Sequence, residues 1–463
     1  MISSNLSMKN RISVIFNFAG NLINKGHDRS VKAKKNIIAS FFIKGISIAI
    51  SLILVPLTIN YVNPTQYGIW LTLSSIIGWF AFFDIGFGNG LRNKFAEAIA
   101  KGEHELARIY LSTTYAILGI IVITLLLIFF CINPFLNWSV ILNTPSNMAG
   151  ELSILALLVF SFFCLQFVLQ LITTIITANQ QPAKASFFNL LGSLLSLTII
   201  FILTKTTSGN LIYLALSLGF TPILVLTASS MWFYRHDYKR YAPSIKYVRF
   251  NCAPDLMSLG IKFFLLQIAG VILYQTSNII IAQLFGPGEV TPYNVSYKYF
   301  SIITMIMGII MMPFWSAYTE AWVKKDIEWI KKSIKKLQLL WVLLSLVTIG
   351  MFVFSNFFFR IWVGKEIKVP VSVSAIMAIY VIMNSWTNIY SLFLNGTGKL
   401  KLQLYASIFG MVLNIPMSIY FGKIFGISGV LLSTVILCFI NMIIEPIQTR
   451  KLLNNNAKGV WNK

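Results

Sequence analysis

Long uninterrupted apolar stretches constrain this chain more than any other feature of its sequence. Several of them exceed the ~18 residues that separate a membrane-spanning helix from a helix in a soluble core. Their apolar residues are continuous rather than alternating, which argues against a transmembrane barrel. Only 11% of the 463 residues are charged, whereas soluble domains carry about 25%. We therefore expect an all-α polytopic membrane protein.

The apolar stretches form about twelve predicted spans in two sets of six. Because six is an even number, both sets enter the membrane in the same orientation. The two six-helix lobes should then be related by a pseudo-twofold axis along the membrane normal. The predicted spans are 37–60, 67–87, 109–132, 152–177, 185–204, 211–234, 255–284, 293–316, 337–358, 371–394, 402–421 and 427–447.

This reading divides the chain into five parts. In the first part, apolar residues recur at helical spacing opposite Lys9 and Arg11. That pattern favours a basic amphipathic helix on the inner membrane surface over a disordered basic tail. The predicted parts are the N-terminal segment 1–35, the first lobe 36–234, the cytoplasmic linker 235–254, the second lobe 255–447 and the cytoplasmic tail 448–463.

The two halves share more than their hydropathy. Lys44 and Lys262 each lie about eight residues into the first span of a half, a depth of about 12 Å. A short proline-containing turn follows that span in both halves, at 61–66 and 286–288. The third span of each half is followed by a Phe-x-x-Trp motif, and its first copy ends at Trp138, which we expect at the membrane interface.

The formal charge of +23 comes from basic residues in the loops between spans. If the N-terminus is inside, the inner segments hold 29 Lys and Arg residues and the outer segments hold five. Cytoplasmic loops of membrane proteins carry such an excess of positive charge. We therefore predict two cytoplasmic termini and no nucleic-acid partner.

Three lysines remain within predicted spans: Lys44, Lys262 and Lys298. Each would cost about 2.5–3.5 kcal/mol at a helix centre. They could extend to the membrane surface along their apolar stems. Alternatively, Lys44 and Lys262 face each other across a central, water-filled cationic cleft, and Lys298 either joins them or lies at the outer interface.

Acidic residues are scarce near the spans. Asp84, Glu320 and Glu445 lie close to inner span ends, where solvated helix ends would explain all three. Asp84 could instead pair with a basic group as an inner-gate latch, and Glu320 holds a similar place in the second half. The four cysteines and three histidines form no metal-binding pattern, and no catalytic motif is present, so neither a metal nor an enzyme activity is expected.

One group of motifs resembles a known family. The motifs are Tyr67-Gly68, the run from Phe83 to Asn93, and Ala321-Trp322 with its lysine-rich connector. They are similar to those of the polysaccharide-transporter (O-antigen repeat-unit flippase) family, within the multidrug/oligosaccharidyl-lipid/polysaccharide exporter superfamily. The resemblance covers about residues 33–450.

The resemblance implies two lobes that rock about a central cationic cavity in the bacterial inner membrane. It implies a lipid-linked oligosaccharide as substrate, lysines as ligands of its pyrophosphate, and coupling to a proton or sodium gradient without any other cofactor. Contact with membrane lipids and with other polysaccharide-assembly membrane proteins would follow. Two alternatives stay open: a cation-coupled drug or small-molecule exporter of the same superfamily, and a membrane glycan polymerase.

The charge asymmetry can be tested by labelling single cysteines with a membrane-impermeant thiol reagent in a background without native cysteines. We expect a cysteine at Ser146 to react in intact cells, because it lies in a predicted outer loop. A cysteine at Lys246 should react only after the cells are opened. Labelling of Lys246→Cys but not of Ser146→Cys in intact cells would reverse the predicted orientation.

Overall fold

The computed structural model describes residues 28–80, 86–179, 181–257, 275–311 and 314–462. Helices dominate these ranges, and no strand occurs in them. The helices are α1 Asp28–Val62, α2 Pro64–Gly78, α3 Phe87–Ala100, α4 His104–Ile132, α5 Ala149–Leu169, α6 Leu171–Ala178, α7 Pro182–Thr206, α8 Leu211–Arg235, α9 Val290–Met311, α10 Phe314–Val323, α11 Ile327–Val353, α12 Ser355–Trp362, α13 Val371–Thr397, α14 Lys401–Phe425 and α15 Ile427–Leu453.

Ten helical segments in the described ranges are long and apolar enough to cross a membrane. They correspond to ten of the twelve predicted spans. The other two predicted spans, 67–87 and 255–284, run through residues 81–85 and 258–274, which lie outside the described part of the chain. The predicted all-α, multi-pass class is therefore confirmed, with twelve as an approximate count.

The helices pack as two bundles, one from each half of the sequence. In the first bundle α7 packs on both α1 and α8, and α5 packs on α4 and α8. In the second bundle α13 packs on α9, α11 and α15, and α14 packs on α15. The predicted domain limits stay predictions, although α1 already begins at Asp28 and α15 continues to Leu453.

Serine pairs join the last two long helices of each bundle. Ser196 of α7 donates to the carbonyl oxygen of Ser217 on α8 over 3.0 Å and also contacts the hydroxyl of Thr221. In the second bundle, the hydroxyls of Ser418 on α14 and Ser433 on α15 are hydrogen-bonded. All of these residues are buried. Small residues and interhelical hydrogen bonds are suited to this role, because apolar contacts gain little between helices that are already in lipid.

The turns after the first span of each half have the same backbone conformation. Asn63 has φ 95° and ψ 162°, and Gly286 has φ 94° and ψ 158°. A proline follows both residues, which favours such an extended ψ. The positive φ is natural for Gly286 but costs a non-glycine residue about 1–3 kcal/mol. Asn63 offsets part of this cost because its side chain accepts a hydrogen bond from the Gln66 amide.

The two turns contact each other in a reciprocal way. With Asn63 and Gly286 taken as equivalent, Pro64 matches Pro287 and Gly68 matches Thr291. Thr291 donates to the carbonyl oxygen of Pro64 over 2.6 Å. In the opposite direction, a Cβ on Gly68 would lie 1.7 Å from the carbonyl oxygen of Pro287. Such an exchange of equivalent partners is what a twofold axis produces, so the lobes are joined at this axis.

Further contacts close the same end of the structure. Asn143, which follows the short helix Trp138–Leu142, donates to the carbonyl oxygen of Ala282 over 3.0 Å. Gln283 donates in return to the carbonyl oxygen of Val140 over 2.9 Å. We call the end of the bundle that carries the two turns the turn end. Hydrogen bonds from side chains of one lobe to backbone carbonyl groups of the other close it.

The segment between the lobes packs on the first lobe. Its turns run along α4, where the amide of Arg249 donates to Thr113 over 2.9 Å and the guanidinium of Arg108 donates to the carbonyl oxygen of Ala242 over 2.9 Å. The short helix Ala253–Met257 then lies against α3, so that a Cβ on Gly90 would be 1.9 Å from the carbonyl oxygen of Leu256. The linker is thus anchored along its length.

The close approach at Gly68 gives a testable prediction. A Gly68→Val side chain would overlap the Pro287 carbonyl group, and such overpacking costs about 1–3 kcal/mol, so the turn end should open. The measurement is cross-linking of cysteines at Ser75 and Asn278, whose side chains are hydrogen-bonded across the lobes at 2.7 Å. We expect the yield to fall in Gly68→Val.

Gly119→Val is the matched control, because nothing lies within 4 Å of a Cβ placed on Gly119. Its cross-linking yield should equal that of the parent, with both proteins present in the membrane at equal amounts. An undiminished yield in Gly68→Val would show that the close approach does not hold the lobes together.

Candidate binding cleft

A cleft of about 440 Å³ lies between the first helix of one lobe and α9 of the other. Lys44 belongs to it and is half-buried. On α1 the lining residues recur every three or four positions, which is one face of a helix. Among the described residues, no acidic side chain lines the cleft. Its lining consists of Lys44, Ser47, Ile48, Ser51, Met305, Gly308 and Ile309.

Lys298 meets the same face of α1. Its Nζ atom donates to Oγ of Ser51 over 3.0 Å. Seven residues separate Lys44 from Ser51, which corresponds to about 10 Å along the helix. Of the three predicted cationic residues, Lys44 therefore lines the cleft, and Lys298 contacts Ser51, which also lines it.

The residue equivalent to Lys298 in the first half is neutral. By the register of the two turns, Lys298 is equivalent to Ser75. Both residues bond to the first span of the opposite half, since Ser75 accepts from Asn278 and Lys298 donates to Ser51. The two partners, Asn278 and Ser51, are one helical turn out of register with each other, and only one of the two contacts has a charge.

The third lysine and the predicted gate carboxylate are not placed. Lys262 and Asp84 both lie outside the described ranges, so their roles stay predictions. Counted from the equivalent turns, Lys44 lies 19 residues before Asn63, and Lys262 lies 24 residues before Gly286. The two lysines are therefore not at equivalent positions when counted from the turns. The prediction of equal depth counted instead from the inner end of each span. Glu320 lies on α10, and its predicted part in a gate is likewise untested.

Glu445 was expected at a solvated helix end, but the structure buries it. It lies inside α15 and is only 2% exposed. Ser391 of α13 donates a hydrogen bond to its carboxyl group. This burial could not be predicted from the sequence, because Glu445 is close to the polar residues that end the last span. Its environment depends on α13, and the packing of α13 on α15 cannot be predicted from the spacing of residues along the chain.

A second, neutral cavity was not found from the sequence. It runs between α9 and α13 in the second lobe and holds about 300 Å³. The only hint in the sequence was the repeat of Asn384 and Asn388, four residues apart on a span. The lining residues are Tyr297, Ser301, Thr304, Tyr380, Val381, Asn384 and Asn388.

Solved structures share this arrangement of helices. An inward-facing structure of a multidrug resistance MATE family transporter of the MOP superfamily matches with a TM-score of 0.73 at 14% identity, over 91% of this chain and 98% of that one. The outward-facing structure of such a transporter matches with a TM-score of 0.63 at 16% identity, over 92% and 97%. Both matches cover nearly the whole of each chain, so the fold is that of these transporters.

Two comparisons at the level of sequence define the class. Residues 263–420 match the MatE family model. A relative from Salmonella typhi, provisionally named an O-antigen transporter, is 23% identical over 416 residues, 87% of this chain and 93% of its own length. An O-antigen export protein of Yersinia pseudotuberculosis, also provisionally named, is 22% identical over 365 residues, 77% and 81% of the two chains. The fold and these relatives define a multi-pass membrane exporter of the MOP superfamily.

The family within that class follows from the longer match. The model named polysaccharide biosynthesis protein covers residues 33–318, which is more than half of the chain. The chain therefore belongs to the polysaccharide biosynthesis protein family, as its motifs had indicated.

The burial of Glu445 gives a prediction about stability. Glu445→Ala removes the acceptor of the Ser391 hydroxyl and leaves a cavity, so we expect a loss of roughly 1–3 kcal/mol. Glu445→Gln keeps an acceptor oxygen of the same size and should lose less. The measurement is the thermal unfolding of purified protein in detergent. The exposed Glu366→Ala serves as control, and equal melting temperatures for Glu445→Ala and this control would contradict the structural role.

Proposed function

We propose that this protein moves a polyprenyl-pyrophosphate-linked oligosaccharide from the inner to the outer leaflet of a bacterial inner membrane, for synthesis of a surface polysaccharide such as O-antigen. The observation that carries the proposal is the cleft between the two lobes, which Lys44 lines and where Lys298 donates a hydrogen bond to the lining residue Ser51. The names of the two relatives support a glycan as cargo.

The charge of the cleft favours this substrate over a cationic drug. Taking a lysine into a membrane-spanning segment is costly, and a bound anion would recover part of that cost. A pyrophosphate diester is such an anion, and it stands between the apolar lipid and the sugars. A cationic substrate would need a carboxylate in the cleft, whereas the lining residues within the described ranges are lysine, serine, glycine and apolar side chains.

A glycan polymerase is less well supported as the alternative. The longest predicted outer loop, at about 133–151, has no Lys, Arg or His that could serve in catalysis. Within the described ranges this loop is largely folded, since Trp138 is buried and donates to Asn133 over 2.8 Å. The relatives that match across the chain are named for export.

Transport in this proposal proceeds by alternating access. The turn end, which we place outside with both termini in the cytoplasm, is closed while the cleft loads from the inner side. Opening would break the reciprocal contacts at Pro64 and Pro287. A proton or sodium gradient would drive the return, and other polysaccharide-assembly membrane proteins would receive the cargo outside.

The cationic cleft is tested by replacing its lysines. We expect Lys44→Ala, Lys262→Ala and Lys298→Ala each to abolish export without loss of protein from the membrane, because the pyrophosphate loses its counter-charge. Lysine-to-arginine variants should restore export in part, since they keep the charge but change its geometry. The measurement is surface glycan in a flippase-deficient strain that expresses each variant.

Lys205→Ala is the control, because Lys205 is exposed at the end of α7. It should export normally. Lysines that only extend to the membrane surface would tolerate neutral replacement, so near-normal export by a Lys44→Ala/Lys262→Ala double variant would refute the cationic cavity.

A further inference from the structure

The described residues that line the cavity between α9 and α13 are mostly polar, and none of them is charged. Tyr297, Ser301 and Thr304 lie three or four residues apart on α9, so they share one face. Tyr380, Asn384 and Asn388 form a matching row on α13. A bundle of lipid-embedded helices keeps such a row of amides and phenols inside only at some cost, unless another molecule or water binds to them.

The cavity continues towards the turn end through a second pocket that shares Tyr297 and Tyr380. Asn294 of α9 donates there to Asn278 over 2.8 Å. Asn278 in turn donates to Ser75 of the other lobe over 2.7 Å. We call the two pockets together the amide groove; it ends where the lobes are joined.

Several polar groups of the amide groove have no partner within the described residues. The side chains of Asn384 and Asn388 make no hydrogen bond there, and neither does the phenol of Tyr297, which is 38% exposed. Their neighbours differ, since Asn278 and Asn294 are both buried and hydrogen-bonded. The groove thus has a closed, structural end near Ser75 and an open end with free donors and acceptors.

These groups suit one class of ligand. An amide offers two donors and an acceptor, and a phenol offers one of each, which matches the hydroxyl and acetamido groups of sugars. The apolar face of a sugar ring can also lie on an aromatic ring such as that of Tyr297, which is partly exposed. Neither row has a charge that would attract the pyrophosphate.

Helix α9 separates the amide groove from the cleft that Lys44 lines, called here the lysine cleft. Lys298, Met305 and Ile309 of α9 point to α1, and Tyr297, Ser301 and Thr304 point to α13. We propose that the amide groove binds the uncharged sugars of the cargo while the lysine cleft holds its pyrophosphate, so that α9 divides the two parts of an amphiphilic substrate. This inference rests on the proposed function.

The test measures binding by the full-length protein in lipid nanodiscs. Two ligands are compared: lipid-linked repeat units extracted from cells that carry the gene, and bare undecaprenyl pyrophosphate. For Asn384→Ala/Asn388→Ala we expect affinity for the repeat units to fall by about tenfold, as loss of two hydrogen bonds would produce. Affinity for the bare lipid should not change. Lys298→Ala should weaken the binding of both ligands.

The exposed Asn356→Ala on α12 is the control and should bind both ligands like the parent protein. If the asparagine variant loses both ligands equally, or neither, the amide groove is not a sugar site while the proposed function stands. A parent protein that binds neither ligand refutes the proposed function, and the sugar assignment falls with it.

Discussion

The reciprocal contact between the two proline turns is the constraint on which the rest of the structure depends. A carbonyl group of each turn meets the helix that follows the other, at Pro64 and Thr291 on one side and at Pro287 and Gly68 on the other. The Pro64 carbonyl accepts a hydrogen bond from Thr291, and the Pro287 carbonyl packs where Gly68 has no side chain, so both contacts favour a joined turn end. With the lobes fixed there, they can separate only towards the opposite end.

Much of this architecture could be predicted from the sequence, because helix length, loop charge and the spacing of two turns are local or periodic signals. The turn at 286–288 was matched to its counterpart in that way, and its backbone angles agree with those at Asn63. Side-chain environments could not be predicted. Trp138 was expected at the membrane interface but is 2% exposed, and Glu445 was expected in solvent. In both cases another helix covers the residue, and no local pattern reports which helix that is.

The candidate site was predictable only in part for the same reason. An intramembrane lysine is conspicuous in any sequence, so Lys44 and Lys298 were found. Their meeting at Ser51 depends on how α9 crosses α1. The amide groove was not predicted, because Asn384 and Asn388 are ordinary residues for a membrane helix. Their significance lies in facing Ser301 and Thr304 across a cavity.

The departures from twofold symmetry show where the two halves have been specialised. Equivalent positions bond across the lobes in both halves, yet one has Ser75 and the other Lys298. A symmetric frame needs only hydrogen bonds at these positions, and serine provides them without the cost of a buried charge. The lysine is therefore not explained by the frame. It lies on α9, the helix that also borders the amide groove. The proposed substrate, which has an anionic part and a sugar part, would account for both features.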